Sequence, residues 1–106
     1  MNGLVLDKSP HALHYRYWLD DEPVGEAQLH SDGWVWGVEI YATFRGNGPG
    51  RQLMEAIEIH ARASAMPSLR LWVAHGNEIA ERMYAGLGYR ATHSTERGVC
   101  MQKDLT

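Results

Sequence analysis

The stretch that most limits what this chain can fold into is the junction at Arg45-Gly46-Asn47-Gly48-Pro49-Gly50, where a glycine-rich turn runs straight into an apolar repeat at Leu53, Met54, Ile57, Ala61 and Ala65. The repeat has helical period, and Pro49 suits the first helical position because its missing N–H would have no partner there. A helix over residues 50–65 follows, closed by Pro67. Glycines at 46, 48 and 50 let the backbone approach a ligand closely, and free N–H groups at the positive end of a helix dipole favour a phosphate. There is then room for one strand, Leu69 to Ala74, before a second helix begins at Asn77. Asn77 is a good N-cap with Glu78 and Glu81 in the first turn, and Gly88 can end the helix in the left-handed conformation.

Upstream the signals are those of strands. Leu4 to Leu6, Leu13 to Leu19, Val24 to His30 and Trp34 to Tyr41 are separated by turn residues, Asp20 to Pro23 and Ser31 to Gly33, and pair naturally as an antiparallel meander. Thr92 to Ser94 and Val99 to Lys103 form a closing hairpin across Glu96-Arg97-Gly98. The expected fold class is α+β: a mostly antiparallel twisted sheet with two main helices, in a single domain over residues 1–106.

Composition narrows the function classes. The chain has 106 residues, ten Lys+Arg against thirteen Asp+Glu, and a net charge of −3 with the signs interspersed, which argues against a nucleic-acid partner. Cys100 is the single cysteine, so no intramolecular disulfide forms. The first apolar run is broken at Asp7 and Lys8, and no stretch reaches about 18 uninterrupted apolar residues. A cytoplasmic protein with no membrane segment is the expectation.

Alone, the Gly-rich turn is a weak signal. A Walker loop would need Gly-Lys-Ser/Thr, which does not follow, and a dinucleotide fold would need a βαβ context. Its spacing to the second helix adds specificity. Arg45, Gly48 and Gly50, followed by Asn77, Ala80, Tyr84, Gly88 and Tyr89, resemble the two signatures of the GNAT family of N-acetyltransferases. Those are Arg/Gln-x-x-Gly-x-Gly/Ala in the acyl-CoA loop and Asn-x-x-Ala-x-x-x-Tyr-x-x-x-Gly-Phe/Tyr in the last helix. The match runs from about residue 33 to residue 90.

The resemblance implies acetyl transfer from acetyl-CoA to a primary amine, by direct attack and with no metal. It implies that Arg45, Gly46, Asn47, Gly48, Pro49, Gly50 and Arg51 surround the pyrophosphate, although Arg51 could equally sit in solvent. It further implies that the backbone at Val38, Glu39 and Ile40 meets pantetheine, that Asn77 lies near the pantetheine arm besides capping its helix, and that Tyr84 protonates the departing thiolate. Read from the residues alone, Tyr84 lies at the border of a stripe of Ile79, Ala80, Met83 and Leu87 and is a packing tyrosine.

The chain departs from the family at two places. The family has two helices after the first strand, and residues 7–12, with Pro10 among them, leave no space for even one. The other departure concerns the general base. Trp34 and Trp36 occupy fourth-strand positions where a carboxylate or histidine is common, and are either core or an aromatic wall for the acceptor. Glu39 is the nearest acid, and its facing depends on whether Gly37 hosts a bulge. The alternative for Glu39 is a solvated strand residue. His75, Glu26 and His30 are weaker candidates. His11 and His14 fall on opposite strand faces and give no metal site. Without the two helices, the aromatic surface around Tyr15, Tyr17, Trp34 and Trp36 suggests a homodimer. A non-catalytic acyl-CoA-binding or regulatory module is the rival reading.

Overall fold

The computed structural model describes residues 3–8, 13–41 and 48–106. Strands β1 (Gly3–Lys8), β2 (Leu13–Leu19), β3 (Glu22–Leu29) and β4 (Val35–Ile40) form an antiparallel meander in chain order. β1 pairs directly with β2, so residues 9–12 are all that separates them. The sheet thus lacks the helix pair, as the spacing implied.

The β2–β3 turn is tighter than expected. Asp20 and Asp21 both have positive φ, 50° and 65°, the pattern of a two-residue hairpin turn that aspartate tolerates. Glu22 and Pro23 consequently belong to β3, with Pro23 beside an irregularity in the ladder at Tyr17 and Trp18, where proline's missing donor is harmless.

A bulge in β4 decides which side chains face inward. Glu26 pairs with Glu39, but Gln28 pairs with Trp36, so β4 carries one residue more than β3 between these pairs. Gly37, at φ 61°, supplies the left-handed backbone. Val35 faces the core before the bulge, and Val38 and Ile40 after it. An unbulged strand would have turned Glu39 inward. Instead Glu39 is exposed.

Helix α1 (Pro49–Ala63) buries Pro49, Leu53, Met54, Ile57 and Ala61. Leu53, Ile57 and Ala61 are fully buried among Tyr15, Ala27 and Leu29 of the first sheet and Leu69, Leu71 and Val73 of the second. Two expectations need correction here. Tyr15 is 2 % exposed and belongs to this core, and Tyr17 packs against it partly buried, so Tyr15 adds nothing to an exposed aromatic surface and Tyr17 only its uncovered part. Ala65 lies outside the helix at φ 60°. The Met66 N–H donates to the Ala61 carbonyl and the Ala65 N–H to the Arg62 carbonyl, which is a Schellman cap with alanine in the glycine position. Ala65→Gly is therefore expected to stabilise the fold by about 1 kcal/mol, read as a raised urea midpoint at unchanged slope. A lowered midpoint would contradict the cap.

The second sheet contains β5 (Ser68–Ala74), β6 (Arg90–Ser94) and β7 (Gly98–Asp104), in the order β5-β7-β6 and antiparallel throughout. Among the described residues it meets the first sheet at a single parallel bridge between Trp34 and Arg70, where the Arg70 N–H donates to the Gly33 carbonyl at 2.9 Å. Gly33 permits that approach, since a Cβ there would lie 2.5 Å from the Ser68 carbonyl oxygen. Past the bridge β4 and β5 part.

Helix α2 (Glu78–Gly86) follows β5 and ends in a Schellman cap at Gly88, whose N–H donates to Ala85 while that of Tyr89 donates to Tyr84. Its inward face is Ala80, Met83, Tyr84 and Leu87. Ile79, expected in the stripe, is 84 % exposed because it lies 100° round from Ala80 at the open first turn.

An ion cluster ties the two helices to β7. Lys103 Nζ donates to Glu58 of α1 at 2.9 Å and to the Leu87 carbonyl at the end of α2 at 2.6 Å. Arg62 also binds Glu58 and donates to the Leu105 carbonyl. Burial alone would push the Glu58 carboxyl up, but the Lys103 and Arg62 hydrogen bonds outweigh it and hold the carboxyl below the usual range. Because the folded value is the lower one, this stabilisation is complete above the unfolded value of about 4.3 and is lost as pH falls through the folded value. Lys103→Met should cost about 1 to 3 kcal/mol at pH 7, below the range for a fully buried pair because Arg62 remains, and should flatten the loss of stability between pH 5 and 3. Urea midpoints across that range test both statements.

Candidate active site

The parting of β4 and β5 leaves a cleft of 260 Å³. Val35, Trp36, Gly37 and Val38 form one wall, Leu71 to Ala74 the other, and Asn77, Ala80 and Tyr84 of the α2 segment close it. Among the described residues the lining carries no charged side chain. Its polar side-chain groups are the Asn77 amide, the Tyr84 hydroxyl and the two indole N–H groups.

Tyr84 is 6 % exposed, its ring edge-to-face with Tyr89 at 5.6 Å. Burial pushes its hydroxyl up to about 12, so it stays protonated across the physiological range. Tyr84 is not at the border of the helix's buried stripe but within it, and it turns into the cleft because β4 and β5 have separated there.

Asn77 caps α2, its side-chain oxygen accepting from the Ala80 N–H at 3.2 Å, and also lines the cleft. Val38 lines the cleft, whereas Glu39 and Ile40 do not. Ile40 turns toward the start of α1, within 3.4 Å of where a Gly50 Cβ would be, and Met83 Sδ approaches the same point at 3.2 Å. Gly50 thus brings the first turn of α1 against both β4 and α2. Gly48 precedes the helix at φ 84°, and its carbonyl accepts from the Gln52 N–H. The first turn of α1 carries no acidic side chain. The N–H groups of Gly50 and Arg51 precede the first helical hydrogen bond and are the donors an anion would use. Arg51 is exposed and pairs with Glu55 at 3.1 Å. Arg45, Gly46 and Asn47 lie outside the described residues.

The two candidate wall tryptophans stand on the sheet face opposite α1. Trp34 is half-buried and Trp36 is 45 % exposed, so Trp36 is not a core residue. They stack at 5.7 Å, and Trp34 also stacks on Trp72 of β5 at 6.0 Å and 8°. Arg70 places its guanidinium 5.0 Å from the Trp34 ring. Trp72 was not singled out from the sequence. The signal was there in the alternation of Leu69, Leu71 and Val73, which puts the even positions of β5 outward.

Glu39 shares that outward face with its cross-strand neighbour Glu26. Glu26 is the more engaged of the two: it accepts from the Tyr41 hydroxyl at 3.1 Å and lies 3.4 Å from His14 Nε2. Burial and then the Glu26 hydrogen bond raise Tyr41's pKa. His75 Nε2 lies 2.6 Å from the Thr95 carbonyl, which accepts only, so this nitrogen carries a proton and is not a free base.

Known proteins share this fold. A curated relative, the mycothiol acetyltransferase of Nocardiopsis dassonvillei, is 37% identical over 70 residues, covering 66% of this chain and 19% of the relative. This chain therefore spans about a fifth of that protein's length. Among solved structures, the ribosomal-protein-S18-alanine N-acetyltransferase of Escherichia coli superposes with a TM-score of 0.82 at 17% identity, over 93% of this chain and 72% of that one. The PaiA N-acetyltransferase of Thermoplasma acidophilum, solved in complex with coenzyme A, gives 0.80 at 15% identity, over 89% and 61%. No helix among the described residues is long and apolar enough to cross a membrane. Residues 3–89 match the Acetyltransferase (GNAT) family, and the chain belongs to it.

Proposed function

We propose that this chain binds acetyl-CoA and transfers its acetyl group to a primary amine. The observation that carries this reading is Tyr84, buried and with its hydroxyl protonated, in the lining of a cleft that carries no charged side chain among the described residues. The pyrophosphate would lie on the N–H groups of Gly48, Gly50 and Arg51, and pantetheine in the cleft along Val38 and past Asn77. One β4 peptide group freed by the bulge would polarise the thioester carbonyl.

In the reaction, the neutral amine nitrogen attacks the thioester carbon, a C–N bond forms and the C–S bond breaks. The thiolate takes a proton from Tyr84, and the proton lost by the amine restores the tyrosine, directly or by way of solvent. A tyrosine near 12 transfers its proton to a thiolate of ordinary basicity, about 8.5, only at a cost of about 4 to 5 kcal/mol. Tyr84 therefore acts chiefly as a hydrogen-bond donor until the dry cleft raises the thiolate's own basicity.

Among the described residues no carboxylate or histidine lines the cleft, so the acceptor's own ionisation should govern the rate. Deprotonating a lysine-like amine at pH 7 costs about 4 to 5 kcal/mol, against about 1 for an α-amine. With purified protein, acetyl-CoA and an amine panel, Glu39→Gln is expected to leave kcat within about twofold, with the rate following the fraction of neutral acceptor. Loss of turnover in a folded, acetyl-CoA-binding Glu39→Gln would instead make Glu39 the base, acting through water. No turnover by wild type with any amine would favour the binding-module reading. A homodimer remains part of the proposal, resting now on exposed Trp36 and Trp72 and not on Tyr15 or Tyr17. Sedimentation at micromolar concentration decides it.

A further inference from the structure

We infer that Trp34 is a positioning residue, which braces the two walls of the cleft through their tryptophans; its effect on catalysis rests on the acetyl-transfer reading above. Trp36 of β4 and Trp72 of β5 line the cleft, one on each wall, whereas Trp34 is outside the lining. Its ring stacks on both, at 5.7 Å and 29° to Trp36 and at 6.0 Å and 8° to Trp72. Trp34 is thus the ring that the two walls share.

Backbone pairing does not set the wall spacing. Among the described residues the bridge at Trp34 and Arg70 is the only strand pairing between the two sheets, and the lining segments Val35 to Val38 and Leu71 to Ala74 run beyond it. Side chains hold the walls there, core packing on the inner face and the ring stack on the outer one. Trp34 is itself well fixed. Its N–H donates to Asp32 Oδ1 at 3.1 Å, its carbonyl accepts from the His30 N–H at 2.9 Å, and the Arg70 guanidinium lies 5.0 Å from its ring. The wall rings are more open, at 45 % and 37 % exposure, and a tryptophan so exposed turns freely unless a neighbour holds it. A thioester arm between unsteady walls would be misplaced relative to Tyr84, and an error of about 1 Å costs about 10²-fold in rate.

Trp34→Leu removes the flat ring but keeps an apolar side chain. On a scale where rigid groups have NMR order parameters of about 0.85 and mobile ones fall below about 0.6, the Trp36 and Trp72 indole N–H groups should stand at the rigid end in ligand-free wild type and at the mobile end in Trp34→Leu. Trp34→Phe, which retains a ring, should fall between, and it carries the test if Trp34→Leu does not fold. Mobile rings in wild type, or rings left rigid in the folded variant, would overturn the inference. In turnover, Trp34→Leu should lower kcat by about 10- to 100-fold while KM for acetyl-CoA stays within about threefold, because the phosphates are gripped elsewhere, at α1. Added to Trp36→Leu/Trp72→Leu, the same substitution should cost nothing further, since the rings it braces are gone. An equal loss in that background would mean that Trp34 acts by some other route, and the inference falls. No turnover by wild type with any amine is a failure of the acetyl-transfer reading alone, and the order parameters then decide whether Trp34 is the brace.

Discussion

Tyr84→Phe is expected to lower kcat by about 10²-fold or more while leaving acetyl-CoA affinity nearly unchanged. The substitution removes one oxygen from a ring that stays packed on Tyr89, so neither the helix nor the cleft wall should move. What is lost is, among the described residues, the only side-chain O–H donor lining the cleft, and it matters most when negative charge builds on sulfur. Burial sets the pH behaviour. A group held near 12 remains the acid form well past pH 10, so Tyr84 should impose no alkaline limb on kcat below about pH 11. An alkaline limb near 10 that vanishes in Tyr84→Phe would mean that the hydroxyl is solvated during turnover. An unchanged kcat, with chemistry shown to be rate-limiting, would reduce Tyr84 to packing.

Gly48→Val should abolish the rise in melting temperature that acetyl-CoA produces. For wild type that rise corresponds to about 2.7 kcal/mol at a hundredfold excess over Kd. Gly48 sits at φ 84° and ψ 4° immediately before Pro49, and a β-branched residue cannot take that conformation without strain. A Cβ there meets nothing within 4 Å, so the damage should be to the direction of the loop and not to the core. Gly48→Asn provides the control, because asparagine tolerates the left-handed region and should keep much of the response. Gly50→Val is the poorer test, since its side chain would press on Met83 and Ile40 and disturb packing as well as binding. A folded Gly48→Val protein that responds to acetyl-CoA like wild type would remove the phosphate site from the start of α1.

Local chemistry made much of the fold legible. Pro49, Asn77 and Gly88 mark helix ends by mechanisms acting within a few residues, and α1 and α2 begin where those residues stand. Spacing alone excluded helices between β1 and β2. Harder to read were features set by long-range partners. Whether Glu39 or Val38 faces the core turns on one extra residue in β4 relative to β3, a comparison between strands that no single segment contains. Tyr15 and Trp36 are both strand aromatics, yet one packs on His60 of α1 while the other stands on the bare face. The fold decides which face α1 covers. Ala65 looked helical because alanine is a good helix former, and only the cap geometry shows it in the glycine place. The Glu26–Tyr41 hydrogen bond, likewise, needs the β3–β4 register to be known.

The single bridge between Trp34 and Arg70 has a consequence for the order in which the molecule loosens. The β1–β4 meander can zip locally, whereas β5 gains a strand partner only once β7, paired as Leu69 with Lys103, has been reached along the chain. Two cooperative blocks of unequal persistence should result, with the Arg70 amide at their seam. A pantetheine chain threaded between β4 and β5 would then work as a splint across that seam. Hydrogen exchange should register it as slowing at Arg70 that exceeds any slowing inside the β1–β2 hairpin, which no ligand in the cleft touches.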